Sequence, residues 1–236
     1  MRAQPGALTD MLVLFDWNGT LMADRDRAAE ATNDVLRTYR LPELAEDEFR
    51  QRFRLPLAEL IADLGVPHEY REAAQRQWNA GLVGRQAPLR AEAPDVLEEL
   101  VARGAVTGVV SAAGEASVLA DMDRSGEDGA RVRQCLRILV SDAQDKVRHL
   151  LEHRAGMPRA AYVGDTDYDV SCARRAGYLA VALAGGYQHR GRLRTVRPDA
   201  VVDSLAELPA LLAGQHAWAH RTEPGSVPSR NGDGCQ

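Results

Sequence analysis

The 236-residue chain carries 29 Lys+Arg against 34 Asp+Glu, a net charge of -5, with 45% hydrophobic residues and a mean hydropathy of -0.33. That balance suits a globular protein of one large or two small domains, and the dispersed Arg leave no electrostatic footprint for nucleic acid. No run approaches membrane-spanning length, Met1 to Gly6 lack an apolar signal core, and three widely spaced cysteines (Cys135, Cys172, Cys235) fit neither a zinc site nor a disulfide framework, so the expectation is a cytoplasmic protein with no membrane partner.

The first predicted element is the unbroken apolar run Leu12-Val-Leu-Phe15, which suits a parallel strand covered on both faces. It stops at Asp16. Open α/β sheets bind ligands outside the carboxyl ends of their strands, so Asp16 is expected in a crevice. Asn18-Gly19 supplies the sharp turn that keeps it facing there. From Asp24 to about Gln86 strand-like runs vanish, and Ala28, Ala31, Val35, Leu36 and Tyr39 recur at helical spacing. Breaks at Leu41-Pro42, Val66-Pro67 and Gly81 to Gly84 divide this stretch into three or four helices.

A helix is predicted from Ala87 to Leu100, with strands near 106–110, 136–140, 160–163, 179–183 and 200–202 and helices between them. Such alternation builds a parallel sheet of α/β class. The second run, Val106-Thr-Gly-Val-Val-Ser111, ends in a hydroxyl, and Ala112-Ala113-Gly114 would open a helix. A hydroxyl beside a helix N-terminus makes a phosphate seat, although a serine such as Ser111 on its own is more often just an N-cap. Lys146 is the only lysine, every other long basic side chain being Arg. A compact ammonium set between two carboxylates and a phosphate is a task Arg does poorly. In Tyr162-Val-Gly-Asp-Thr-Asp-Tyr-Asp169, Asp165, Asp167 and Asp169 fall close together, and burying that much like charge requires a cation. Oxygen ligands with no His or Cys nearby suit Mg²⁺. From about Gly214 to Gln236 the composition turns to Gly, Pro, Ser, Arg and Asn, which predicts a disordered tail.

The order Asp16, Ser111, Lys146, Asp165/Asp169 resembles the four motifs of the haloacid dehalogenase-like hydrolase superfamily, over roughly residues 10 to 212. The stretches Val181 to Tyr187 and Asp199 to Leu208 look like the end of its phosphoglycolate-phosphatase-like members. The resemblance implies a Rossmann-like parallel-sheet core of residues 1–23 and 87–213 with an all-helical cap inserted at 24–86. It implies that Asp16 is a nucleophile forming an aspartyl-phosphate from a small phosphorylated metabolite. Ser111, Ala112, Lys146 and Thr20 would hold the phosphoryl oxygens, while Asp16, Asp165, Asp169 and the backbone carbonyl of Asn18 would bind Mg²⁺. The cap would close the site and choose the substrate, through candidates Arg25, Arg27, Arg50, Arg52, Arg54, Trp78 and Asn79. Arg52-Phe-Arg-Leu55 leads among them, because a cap loop must present polar groups. A monomer or homodimer is expected.

The chain departs from the family at Asn18, where such phosphatases usually carry a second Asp that protonates the leaving oxygen and later deprotonates water. Asn hydrogen-bonds but has no ionisable proton. The expectation is a slowed or specialised phosphatase, the alternative a phosphometabolite-binding or regulatory protein. Asn18→Asp is expected to raise turnover on poor leaving groups by roughly 10²-fold. The motif Asp16-Trp17-Asn18-Gly19-Thr20 is also similar to that of phosphonoacetaldehyde hydrolases, but those need a cap lysine and this chain has only Lys146. Haloacid dehalogenases proper work without a metal and lack the acidic cluster from Asp165 to Asp169.

Overall fold

A computed structural model describes residues 7–154 and 156–214. The expected tail, apart from Gly214, and Cys235 therefore lie outside the described residues. Six strands, β1 (Met11–Phe15), β2 (Val106–Val110), β3 (Leu136–Val140), β4 (Arg159–Gly164), β5 (Leu179–Leu183) and β6 (Ala200–Val202), form one sheet in the order β3-β2-β1-β4-β5-β6. Every neighbouring pair is parallel.

The continuous apolar runs follow from this arrangement. Met11, Val13 and Phe15 enter one core cluster and Leu12 and Leu14 enter a second on the opposite face. Val163 and Tyr162 of β4, and Val181 and Ala182 of β5, divide between the same two clusters. A strand buried on both faces has no polar side to show, so alternation disappears. The chain crosses between β1 and β4, where the strand order reverses, and the crevice expected at such a switch point opens above Phe15 and Gly164.

Between β1 and the rest of the sheet come four helices, α1 (Arg25–Thr38), α2 (Glu46–Arg52), α3 (Leu57–Asp63) and α4 (Arg71–Val83). Their apolar faces meet in a third cluster built from Ala28, Val35, Phe49, Phe53, Leu60 and Trp78, joined by Tyr187 from beyond β5. The remaining helices flank the sheet: α5 (Ala93–Ala102), α6 (Glu115–Arg124), α7 (Gly126–Cys135), α8 (Lys146–Arg154), α9 (Asp167–Arg175), α10 (Arg190–Thr195) and α11 (Leu208–Ala213). Among the described residues no helix is long and apolar enough to cross a membrane.

Two expectations shift. The helix predicted from Ala87 begins only at Ala93, with Pro94 in its first turn. Residues 87–90 instead run extended beside the outgoing chain, and 91–92 turn into the helix. Leu89 bridges antiparallel to Met22, Ala23 N–H donates to Pro88 O (2.9 Å), and Arg90 N–H donates to Leu21 O (2.8 Å). Backbone groups claimed across two crossing chains are not free to build a helix. Likewise Ala112–Gly114 remain a loop, and α6 opens at Glu115 with Gly114 as its N-cap.

Candidate active site

The ends of β1, β2 and β4 and the first residue of α8 converge. Lys146, fully buried, places Nζ 2.9 Å from Asp16 Oδ2 and 2.7 Å from Asp169 Oδ1. The Ser111 side chain helps to draw the Asp16 carboxyl down and accepts from Ala113 N–H at 3.2 Å, and Trp17 N–H donates to Asp16 Oδ1 at 2.7 Å. Asp165 is held on both oxygens, Oδ1 by the Thr20 hydroxyl (3.1 Å) and Oδ2 by Tyr187 N–H (2.6 Å). Thr166 caps α9 and donates from Oγ1 to Asp169 Oδ2 at 2.5 Å. Gly19 is required in the turn after Asp16, because its φ is 73° and a Cβ there would lie 2.2 Å from Asp165 Oδ2.

The electrostatics are unbalanced. Asp16, Asp165 and Asp169 each offer a carboxylate oxygen, all within 4.8 Å of one another, and all three residues are buried. One ammonium faces them. Burial pushes the Asp16 carboxyl up while the Lys146 charge pulls it back down. Burial, then the charges of Asp169 and Asp16, hold Asp165 well above the usual carboxylate range. For Lys146 burial opposes the charge, but Asp16 and Asp169 carry its pKa well above the ordinary lysine value. It is therefore a fixed cation. The Tyr162 and Tyr168 rings, 5.7 and 5.9 Å from Nζ, complete its surroundings. Asp167, the middle acid of the motif, takes no part: it accepts from Arg192 and Gln188 instead.

Asn18 is tied to a carboxylate the sequence did not single out. Its Nδ2 donates to Asp24 Oδ2 at 2.6 Å, and Gly19 N–H donates to Asp24 Oδ1 at 2.6 Å. Tyr187 OH adds a 2.8 Å bond to Asp24. Arg27 then bridges Asp24 (2.7 Å) to Asp121 on α6 (2.8 Å), and Trp17 Nε1–H reaches Asp121 at 3.2 Å. Burial would lower the Arg27 pKa, but the two carboxylates raise it above its usual value. Asp24 and Arg27 stand three residues apart at the start of α1, a faint helical signal. Asp121 gives none, since an acid on an amphipathic helix normally faces water.

Asp16, Asn18, Ser111, Ala112 and Asp165 line a cavity of about 470 Å³, roofed by Phe53, Leu55, Pro56, Leu57, Trp78 and Asn79 among others. Thr20 is absent from that lining and serves Asp165. The arginines singled out in the insert are absent too. Arg25 pairs with Glu46 at 2.9 Å, and Arg52 and Arg54 both approach Asp63, at 3.7 and 3.4 Å. The loop at 52–55 keeps its guanidinium heads beside an acid at the surface and turns Phe53 and Leu55 inward. The loop is thus the inverse of the expected arrangement, because long basic side chains place their charges where solvent reaches them. Trp78 and Asn79 do reach the cavity.

Residues 13–183 match the family described as haloacid dehalogenase-like hydrolase. The chain belongs to this family of hydrolases. A probable phosphatase, IndB of Dickeya dadantii, is 28% identical over 222 residues, covering 84% of this chain and 91% of that one. Phosphoglycolate phosphatase of Synechococcus elongatus is 26% identical over 208 residues, 83% of this chain and 94% of the other. A shorter stretch of 66 residues, 28% of this chain, is 39% identical to phosphoglycolate phosphatase of Nitrosococcus oceani and spans 29% of that protein. Among solved structures, CbbY from Rhodobacter sphaeroides in complex with phosphate shares the fold with a TM-score of 0.62 at 20% identity, covering 84% of this chain and 95% of that chain. The strand ends carrying Asp16, Ser111 and Asp165, with Lys146 opening α8 and Asp169 in α9, thus sit in the fold of haloacid dehalogenase-like hydrolases.

Proposed function

We propose that this chain is a Mg²⁺-dependent phosphatase of a small phosphomonoester, with Asp16 as nucleophile. The observation that carries the reading is one buried ammonium set between Asp16 and Asp169 beside a third buried carboxylate, beneath the cavity floor that Asp16 and Asp165 form. Three carboxylates against one lysine leave an excess of negative charge that an all-oxygen donor set passes to a hard dication. Asp16, Asp165, Asp169 and the Asn18 carbonyl are the residues to hold it. When bound, Mg²⁺ offsets the charge of both nucleophile and phosphoryl group.

The protein's own groups supply the rest. Trp17 N–H and Lys146 fix the two oxygens of Asp16 so that it meets phosphorus in one orientation. Attack forms the Asp16 O–P bond as the P–O bond to the alcohol breaks, and the leaving oxygen takes the electron pair. Ser111, the 112–113 backbone and Lys146 are placed to bind phosphoryl oxygens. Water then attacks the aspartyl-phosphate and regenerates Asp16 with inorganic phosphate. Asn18 cannot deliver the proton the leaving alkoxide needs, so that proton comes from solvent and poor leaving groups depart slowly. The helical insert serves as the cap over the cavity.

A panel of phosphomonoesters assayed with Mg²⁺ tests the mechanism. Turnover is expected in the wild type and is expected to vanish in Asp16→Ala and in a chelator. Activity that survives either treatment removes Asp16 or the metal from the mechanism. The competing reading, a phosphometabolite-binding protein, draws on Asn18 alone, and any metal-dependent turnover that Asp16→Ala abolishes ends it.

A further inference from the structure

The cavity wall has a charge distribution that says what the part of the substrate beyond its phosphate must be. Among the described residues no Arg, Lys or His lines it. In a chain so rich in Arg that is informative. The roof consists of Phe53, Leu55, Pro56, Leu57, Trp78, Leu82 and Val83, interrupted by the neutral amides Gln75 and Asn79 on α4. The charged side chains in the wall are acids: Asp16 and Asp165 at the floor, and Asp142 beside Gln144 on the core rim. Asp142 stands apart from the three clustered carboxylates and accepts from Glu115 N–H at 3.3 Å. The nearby arginines are held elsewhere, Arg54 by Asp63 and Arg27 within the buried network.

We infer that the substrate's alcohol part is uncharged and largely apolar, with hydrogen-bonding groups for Gln75 and Asn79, and carries no carboxylate. This rests on the phosphatase reading above. A carboxylate moved from water into this roof would lose its hydration, find no cation, and face Asp142. An apolar group would bury surface against Phe53, Trp78 and Leu82, the ordinary source of affinity in such clefts. The cavity of about 470 Å³ also exceeds what a two-carbon acid fills. Phosphoglycolate is therefore a poor fit here, although relatives of this chain carry its name. Selection falls to Leu55, Gln75, Trp78, Asn79, Leu82 and Val83.

The test compares ethyl phosphate, phosphoglycolate, phosphoethanolamine and benzyl phosphate. It uses kcat/KM in the Mg²⁺-loaded wild type and Kd by calorimetry in the Mg²⁺-loaded Asp16→Asn variant. Benzyl phosphate is expected to show a kcat/KM about tenfold or more above that of phosphoglycolate and a Kd about tenfold or more below it, with ethyl phosphate between them. Asn79→Arg and Val83→Arg, both on exposed positions of α4 that reach the cavity, are expected to shift that ratio toward phosphoglycolate by about tenfold. Phosphoglycolate equal to or better than benzyl phosphate overturns the inference, as does a ratio unmoved by either arginine. If no ester is turned over, the phosphatase reading fails, and the Kd order still decides the claim about the ligand.

Discussion

The two halves of the cavity are built on opposite principles. The core half is a set of charges at the ends of buried strands, with the oxygens of Asp16, Asp165 and Asp169 held by Lys146, Thr20, Thr166 and backbone N–H groups. The helical half presents apolar side chains and two neutral amides and, among the described residues, makes no ion pair with Asp16 or Asp165. Buried charge is costly unless every partner is in place, so the floor tolerates little change. Apolar lining tolerates much more, because hydrophobic groups of similar volume exchange at small cost. On the proposed function, chemistry falls to the half that cannot vary, and choice of ligand to the half that can.

The largest expected effect is at the seam between the halves. Arg27 on α1 is the cation between Asp24 and Asp121, and all three are buried. Arg27→Met takes from buried Asp24 the cation that pairs with it and leaves Asp121 to Arg124, and a loss of about 3–5 kcal/mol is expected in urea unfolding. A loss below about 1 kcal/mol would mean that the helical half is docked by its apolar cluster alone.

Next comes Asn18. The structure changes what Asn18→Asp should do, because Asp24 stands 2.6 Å from the amide nitrogen. A second carboxylate there must share a proton with Asp24, so one pKa of the pair rises strongly. The pair keeps one proton to higher pH, which serves a leaving group while position 18 holds it but leaves no free base there to activate water. The single variant is expected to gain little in steady state and to accumulate aspartyl-phosphate in rapid-quench assays. Exchanging the pair as Asn18→Asp with Asp24→Asn restores one carboxyl and one amide. Turnover of an alkyl phosphate is then expected to rise by roughly 10²-fold, with far less gain for nitrophenyl phosphate. Equal gains for single and double variants would show that Asp24 does not govern position 18.

The smallest effect separates the halves directly. Adding Mg²⁺ is expected to raise the thermal midpoint modestly and to slow hydrogen exchange at the ends of β1 and β4, with little change in α1–α4. The gain is set by mass action, about 2.7 kcal/mol at a hundredfold excess over Kd. Asp165→Asn should reduce it. Protection rising equally in α1–α4 would show that the metal orders both halves together.

The sheet and the order of its chemistry could be read from the sequence because both rest on local pattern. A strand buried on two faces must be apolar throughout, and an acid or hydroxyl that ends such a run is conspicuous, as at Asp16, Ser111 and Asp165. Lys146 stood out by composition, being the single lysine. The rest depended on which distant residues meet. Asp24, Arg27 and Asp121 give no shared local signal, yet α1 and α6 bring them into one buried network around Asn18. The loop at 52–55 shows the same limit. Its residues were visible, but whether Arg54 or Phe53 faced the cavity depended on Asp63 lying within 3.4 Å of Arg54, and Phe53 on the apolar cluster it completes. A residue's type follows from the chain, while the partner that neutralises or buries it exists only once distant segments have packed.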